Sequence, residues 1–443
     1  MTTPSDAAAP PAGRSPRETV LDPRYLRLLL LCVLLGVPVA LACFFFVGLQ
    51  HLLQHWVWTS LPEAAGYARP PWWWPLPALA LAGLLLAPVV TRMPGGGGHL
   101  PVDGLGGAPV GPKALPGAVL AALAGLPLGV VLGPEAPLMA VGSGLALLAV
   151  RRSAPPDPEV RAVLATAGST AAISTILGGP LVAAVLLIEG AGLAGAKLAA
   201  LLLPCLLASA AGALVFTGFG DWTGLKIGAL SLQDLPPRAG PDAGDFLWGV
   251  PVAALIAVLI ALGRELGRST VTWTRRNTAS RTVLCATAVG GCLAVYALVT
   301  GRSPAEAALS GQAALAQLAA APHAWSVGAL LALVACKGLA WGIALGSLRG
   351  GPIFPAVLLG TATAMACSGL PGLGTTPALA LGISAAASAV TGLPLAGAVL
   401  AVLLLGGDAH DQTPLIVTAS VVAFLVARLM RRGRPPEQAG GAR

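Results

Sequence analysis

The chain has 443 residues, 56% of them hydrophobic and only 10% charged, with a formal net charge of +8. A soluble domain carries roughly 25% charged residues because its surface faces water, so this composition excludes a soluble globule and leaves apolar surface that must face lipid. The basic excess does not point to nucleic acid. Arg24 and Arg27, Arg151 and Arg152, Arg264 to Arg281 and Arg428 to Arg434 stand at the ends of apolar segments, the pattern of loops held at an anionic membrane face.

Residues 1–20 form a polar tail with no apolar stretch and no small-residue cleavage site, which reads as a disordered arm rather than a signal peptide. Apolar runs follow at Leu26–Leu49, Leu76–Val90, Ala194–Phe216 and Phe246–Leu262. Their continuity and richness in Leu, Ala and Val predict transmembrane helices rather than the alternating strands of a barrel. The fold class is therefore all-α integral membrane. With 57 glycines and 39 prolines, many apolar stretches are interrupted, which predicts broken or re-entrant helices. Trp56, Trp58 and the tryptophans at 72–74 read as an interfacial belt.

A polar, turn-rich stretch at 218–245 divides a first membrane half (21–217) from a second (246–431), and 432–443 is a basic tail. Arg264 to Arg281 reads as a basic loop. The positive-inside rule places that loop and both termini in the cytoplasm of a multi-pass protein of the cell membrane. The halves resemble each other: residues 165–190 match 382–407, with Pro180 on Pro394, Ala171 on Ala385, Ser174 on Ser388 and Leu181 on Leu395 at one constant offset. Such duplications place binding sites where the repeats meet, at helix ends near the midplane.

Three Gly/Pro-rich breaks carry the chemistry: PGGGGHLPVDGLGG (94–107), GPEAP (133–137) and RGGPIFP (349–355). Each precedes a helix-competent run, and a helix begins with unpaired N–H groups and the positive end of its dipole. Several such ends converging inside a membrane hold an anion without a full positive charge, so the anion can also leave. Glu135 lies in apolar surroundings with no basic neighbour in sequence, although a charge at bilayer depth costs roughly 2.5–3.5 kcal/mol. A carboxylate at a helix start can occupy the place of a permeating anion and swing away when protonated or displaced.

At these residues the chain resembles the CLC family of chloride channels and proton/chloride exchangers. GPEAP is similar to the family's GxEGP motif, with Ala136 in place of its second glycine. GGPIFP at 350–355 resembles the GxFxP region, and GGGGHLPVDG at 95–104 a degraded GSGIP segment. The stretches 164–190 and 391–400 match the helices that follow in each half, so the resemblance covers about residues 20–430. It implies an inverted repeat of broken and tilted transmembrane helices, a homodimer with one anion pathway per subunit, and Glu135 as the gating glutamate. The anion would lie near Gly97, Gly133, Gly350, Gly351, Ile353 and Phe354, with backbone amides of Ile353 and Phe354 facing it.

Four departures from the family pattern matter. Its anion-coordinating serine falls at Gly97. The proton-relay glutamate of its exchangers falls at Gly190, next to Glu189, and adjacent helix positions point about 100° apart. Its pathway tyrosine has no counterpart among Tyr25, Tyr67 and Tyr296. The chain stops soon after LIVTASVVAFLVARLM, without the family's last short helix or CBS domains. The expectation is transport of chloride or a similar anion, channel-like or weakly proton-coupled, with Glu189 the nearest candidate for a proton path. The alternatives are a proton/chloride antiporter with a rerouted proton path, or a non-transporting sensor or scaffold that kept the fold.

Lys113, Lys197 and Lys337 read as helix caps or as chains reaching for headgroups, and Arg349 as added field at the third break. The seven cysteines sit mostly in apolar runs as packing residues. No Walker motif, metal cluster or nucleophile triad appears, and the five histidines are scattered, so neither an enzyme nor a bound metal or cofactor is expected.

Overall fold

A computed structural model describes residues 22–104, 109–152, 157–177, 179–190, 195–224, 232 and 240–431. The tails expected at 1–20 and 432–443, and much of the linker expected at 218–245, lie outside the described residues. The first half holds α1 (Pro23–His55), α2 (Pro75–Arg92), α3 (Leu115–Gly125), α4 (Glu135–Ala149), α5 (Pro158–Ser174), α6 (Pro180–Gly190) and α7 (Gly195–Thr223). The second holds α8 (Ala243–Thr274), α9 (Thr278–Thr300), α10 (Gln312–Ala320), α11 (Val327–Ser347), α12 (Ile353–Ala366), α13 (Thr375–Thr391), α14 (Pro394–Leu405) and α15 (Ala409–Arg431). Among the described residues there is no strand beyond one isolated bridge.

The helix starts follow from local chemistry. Asp22 accepts the Arg24 N–H at 2.8 Å and Asp157 the Glu159 N–H at 3.1 Å. Each is followed at once by proline, whose fixed φ suits the first helical position. Asp242 and Asp245 form a reciprocal capping box at the start of α8.

Helices α1, α2, α7, α8, α9, α11 and α15 are long and apolar enough to cross a membrane. Helix α12 is not: its 14 residues rise only about 21 Å, against a hydrocarbon core of about 30 Å. Length decides position. The long helices turn leucines outward, with Leu30 60% and Leu52 67% exposed on α1, while α13 is buried continuously from Thr376 to Val390.

The short helices α4 to α6 have counterparts in α12 to α14, in the same order. Helix α4 crosses α5 at Gly142 and Gly168, and α12 crosses α13 at Gly360 and Gly382. A Cβ on Gly142 would lie 2.1 Å from the Gly168 oxygen, and one on Gly360 2.7 Å from the Gly382 oxygen. Both crossings therefore require backbone against backbone. Helix α2 packs on α9 and so joins the halves, while α1 packs on α7, α8 on α11 and α13 on α15.

Several expectations need correction. Arg264 to Thr274 is not loop: α8 continues through Thr274, and the chain turns only at 275–277. With 32 residues, α8 spans about 48 Å, so its basic end runs past the hydrocarbon while still helical. Arg264 meanwhile donates to the Val390 and Val102 oxygens. At the other end of the expected linker, α7 continues through Thr223. Trp56 and Trp72 are exposed as a belt requires, but Trp58 is buried, donating its indole N–H to the Pro127 oxygen at 3.0 Å. Lys337 neither caps nor snorkels. It is fully buried midway along α11.

Candidate anion site at the broken helices

The second and third breaks meet. Gly133 donates its N–H to the Gly351 oxygen at 2.8 Å, and Gly351 returns one to the Gly133 oxygen at 2.6 Å, an antiparallel bridge. That bridge sets the starts of α4 and α12 side by side, because Glu135 follows Gly133, and Ile353 follows Gly351, by two residues. Pro134 and Pro352 occupy the N-cap positions. Proline has no N–H, so the first donors come from the residues after it. Phe354 donates to Glu135 Oε1 at 2.9 Å, and the amides of Ile353 and Glu135 also lie within reach of the carboxylate.

Glu135 is fully buried, and among the described residues its Oε2 has no hydrogen-bond partner. Among the described residues no cation pairs with it. Glycine makes the room: a Cβ at Gly351 would stand 1.8 Å from Oε2, and one at Gly133 2.2 Å from it. Gly350, at φ 155°, packs against Leu132, where a Cβ would lie 2.5 Å from the leucine Cβ.

The magnitudes place this carboxylate near balance. Holding a charge at bilayer depth costs roughly 2.5–3.5 kcal/mol. One hydrogen bond to a charged group returns about 1.5–3 kcal/mol, and a helix start adds about 0.3–2 kcal/mol. The terms nearly cancel, so the carboxylate is a weakly held occupant of a site made of backbone donors.

The first break is tied to the third by Arg349. Its Nε donates to the Gly96 oxygen at 2.9 Å and its Nη1 to the Leu348 oxygen at 3.2 Å. Gly95 to Gly98 all have positive φ, a conformation that only glycine enters freely, and the resulting turn wraps the arginine. Gly97 is buried there, with a Cβ position 3.5 Å from Arg349 Cγ and 2.9 Å from the Ala121 Cβ. Glycine at this position offers no side-chain donor.

Of the residues singled out from sequence, Glu135, Gly133, Gly350, Gly351, Ile353 and Phe354 thus converge, and Gly97 joins them through Arg349. Glu189 does not. Its two carboxylate oxygens accept the Leu395 and Ala396 N–H groups at 2.8 and 2.7 Å, capping the start of α14. The tyrosines are engaged elsewhere: Tyr25 with the Ala199 and Ala200 oxygens, Tyr67 against Trp73, and Tyr296 with Glu306. Sequence reasoning missed the Gly133–Gly351 bridge and the Arg349 tie. A repeated Gly-Pro pair just ahead of each helix start was the one signal for the bridge.

A bundle of long crossing helices around short ones that start head to head in the interior defines a multi-pass membrane protein of the ion-transport class. The family described as Voltage gated chloride channel matches residues 101–428, and the chain belongs to that CLC family of anion transport proteins, which are not enzymes. It is 30% identical over 356 residues to YfeO of Shigella boydii serotype 18, named for ion transport, covering 77% of this chain and 80% of the relative. A match to YfeO of Escherichia coli strain SMS-3-5 reaches 34% identity over 172 residues, but spans only 38% of this chain and 40% of that one. Among solved structures, a slow cyanobacterial Cl-/H+ antiporter superposes with a TM-score of 0.76 at 16% identity, over 91% of this chain and 95% of that one. A CLC-type fluoride/proton antiporter gives 0.69 at 17% identity, over 91% and 96%. At such identities the likeness shows the fold alone.

Proposed function

We propose that the protein passes chloride or a similar small inorganic anion across the cell membrane, through a pathway whose inner station is the paired start of α4 and α12. Glu135 is the gate. In the closed state its carboxylate sits where the anion would sit, on the Phe354 amide; protonation or an arriving anion releases it. The observation that carries this reading is the buried, unpaired carboxylate bonded to a backbone N–H of the opposite half.

Transport is channel-like or weakly proton-coupled. An exchanger needs an inner group that takes up protons, and the position that would supply it is Gly190, while the neighbouring Glu189 is engaged as the cap of α14. With glycine at 97, selectivity depends on backbone amides and on the shape of the glycine turns. The working unit is a homodimer, and both termini face the cytoplasm by the positive-inside rule.

The test is purified protein in liposomes under a chloride gradient, with chloride and external pH recorded together. The expected result is chloride efflux with little accompanying proton uptake. Proton uptake in fixed proportion to chloride would overturn the weak-coupling claim and favour an antiporter with a rerouted proton path.

A further inference from the structure

Lys337 is a second charge inside the bundle, and the Glu135 pathway does not use it. Its Nζ donates to the oxygens of Ala307, Ala308 and Leu309 at 2.8, 3.1 and 3.1 Å. Among the described residues no carboxylate pairs with it. Three carbonyls solvate this amine and no carboxylate neutralises it, so any positive charge it carries is buried without a counter-ion.

The loop that supplies those carbonyls is shaped by doing so. Leu309 takes φ 60°, which non-glycine residues seldom adopt. In a planar trans peptide the N–H points opposite to the C=O, so turning three carbonyls to Lys337 turns the following N–H groups away from it. That of Leu309 goes to the Gly129 oxygen at 3.3 Å; that of Ser310 finds no backbone acceptor among the described residues.

Beside this loop is a cavity of about 310 Å³ lined by Gln50, His51, Gln54, Ser310, Gly311 and Gln312. Helix α10 starts there, with Gly311 as its N-cap, so its first-turn N–H groups have no acceptor within the helix. Gln50 is only 6% exposed, yet its Oε1 has no partner. A half-turn of that amide presents its NH2 group in the same place. Gly311 also ties the cavity to its surroundings: a Cβ there would lie 3.3 Å from Lys337 Cε and 2.6 Å from Leu358 Cδ2, one turn along α12 from Phe354. The Ser310 N–H, a helix start whose Gln312 N–H is held among the described residues only by Ser310 Oγ at 3.5 Å, and a basic side chain behind the loop form a site for negative charge.

We propose that this cavity is a second anion site, separate from Glu135, which takes a small monovalent inorganic anion with Lys337 as its fixed counter-charge across the loop. The choice of ligand class rests on the anion-transport reading above. The site acts as a staging post, raising the local anion concentration beside the loop that packs on Leu358 of α12.

The test uses the full-length protein crystallised in bromide, with anomalous scattering collected for wild type, Lys337→Met and Gln50→Glu. A bromide peak in the cavity of wild type is expected, lost in Lys337→Met and lost in Gln50→Glu, where an internal carboxylate takes the anion's place. The chloride concentration that half-saturates flux should rise about tenfold or more in Lys337→Met, the scale of one unit charge within about 12 Å at an effective dielectric of about 20. An empty wild-type cavity, or bromide retained in both variants, overturns the proposal. Should Lys337→Met fail to fold, Gln50→Glu decides alone. Flux with an empty cavity would sink this site and leave the pathway standing, whereas bromide in the cavity without any flux would do the reverse.

Discussion

If Glu135 closes the pathway as proposed, replacing Gly351 with alanine should open it without changing Glu135 itself. Gly351 does not have positive φ, so alanine suits the backbone, and the three atoms nearest the new methyl all belong to Glu135. The new methyl would lie 1.8 Å from Oε2, 2.6 Å from Cδ and 2.9 Å from Cβ; the carboxylate end swings away, while the anchored Cβ needs only a small shift that is the same in Glu135→Ala. Eviction breaks the bond to the Phe354 amide, which as a charge-assisted contact is worth about 1.5–3 kcal/mol. The closed state then loses roughly tenfold to a hundredfold in population. Chloride efflux from liposomes, measured for wild type, Gly351→Ala, Glu135→Ala and the double variant, reads this directly. Gly351→Ala should speed efflux in the wild-type background and add nothing once Glu135 is alanine, because the two changes remove the same obstruction. A slowing by Gly351→Ala in both backgrounds would show that the methyl blocks the path itself, and would refute the reasoning.

Glu135→Gln keeps the shape of the gate but not its charge. Wild-type efflux should rise as pH falls, since protonation removes the charge held on Phe354, whereas Glu135→Gln should be fast and flat with pH; equal pH slopes would contradict the gate. Glu189→Ala should lose about 1–3 kcal/mol with the cap of α14, seen as a lower thermal midpoint with chloride efflux retained. Loss of proton movement without loss of stability would instead make Glu189 a relay. Gly142→Ala and Gly360→Ala should each destabilise by at least about 1–3 kcal/mol, because the methyl meets backbone across a helix crossing; unchanged melting of either would mean that the crossings are looser than described.

Membrane embedding was legible from composition, because ten charged residues in a hundred cannot cover a globule of this size. The helix starts at Glu135 and Ile353 were legible from Gly-Pro pairs ahead of apolar runs. The partnership between them was not, since the contact between Glu135 and Phe354 joins residues 219 apart in sequence and is made through a backbone group common to every residue type. Side-chain identity likewise misled at Lys337. A lysine in an apolar helix reads as a snorkelling chain until the carbonyls of Ala307, Ala308 and Leu309 are found around it. At Glu189 the cap of α14 was not legible, because it is made to the backbone N–H groups of Leu395 and Ala396 more than 200 residues away in sequence. The basic stretch after Arg264 carried a loop's composition, and its Gly267 reads as a stop, but that glycine stays helical where α8 packs closely on α11: a Cβ there would lie 2.9 Å from the Leu345 Cβ.

The central claim, an anion pathway closed by Glu135, is tested most directly by chloride efflux from liposomes carrying wild type or Glu135→Ala. Efflux in wild type that quickens when the carboxylate is removed is the predicted result. No chloride movement through either protein would contradict the account.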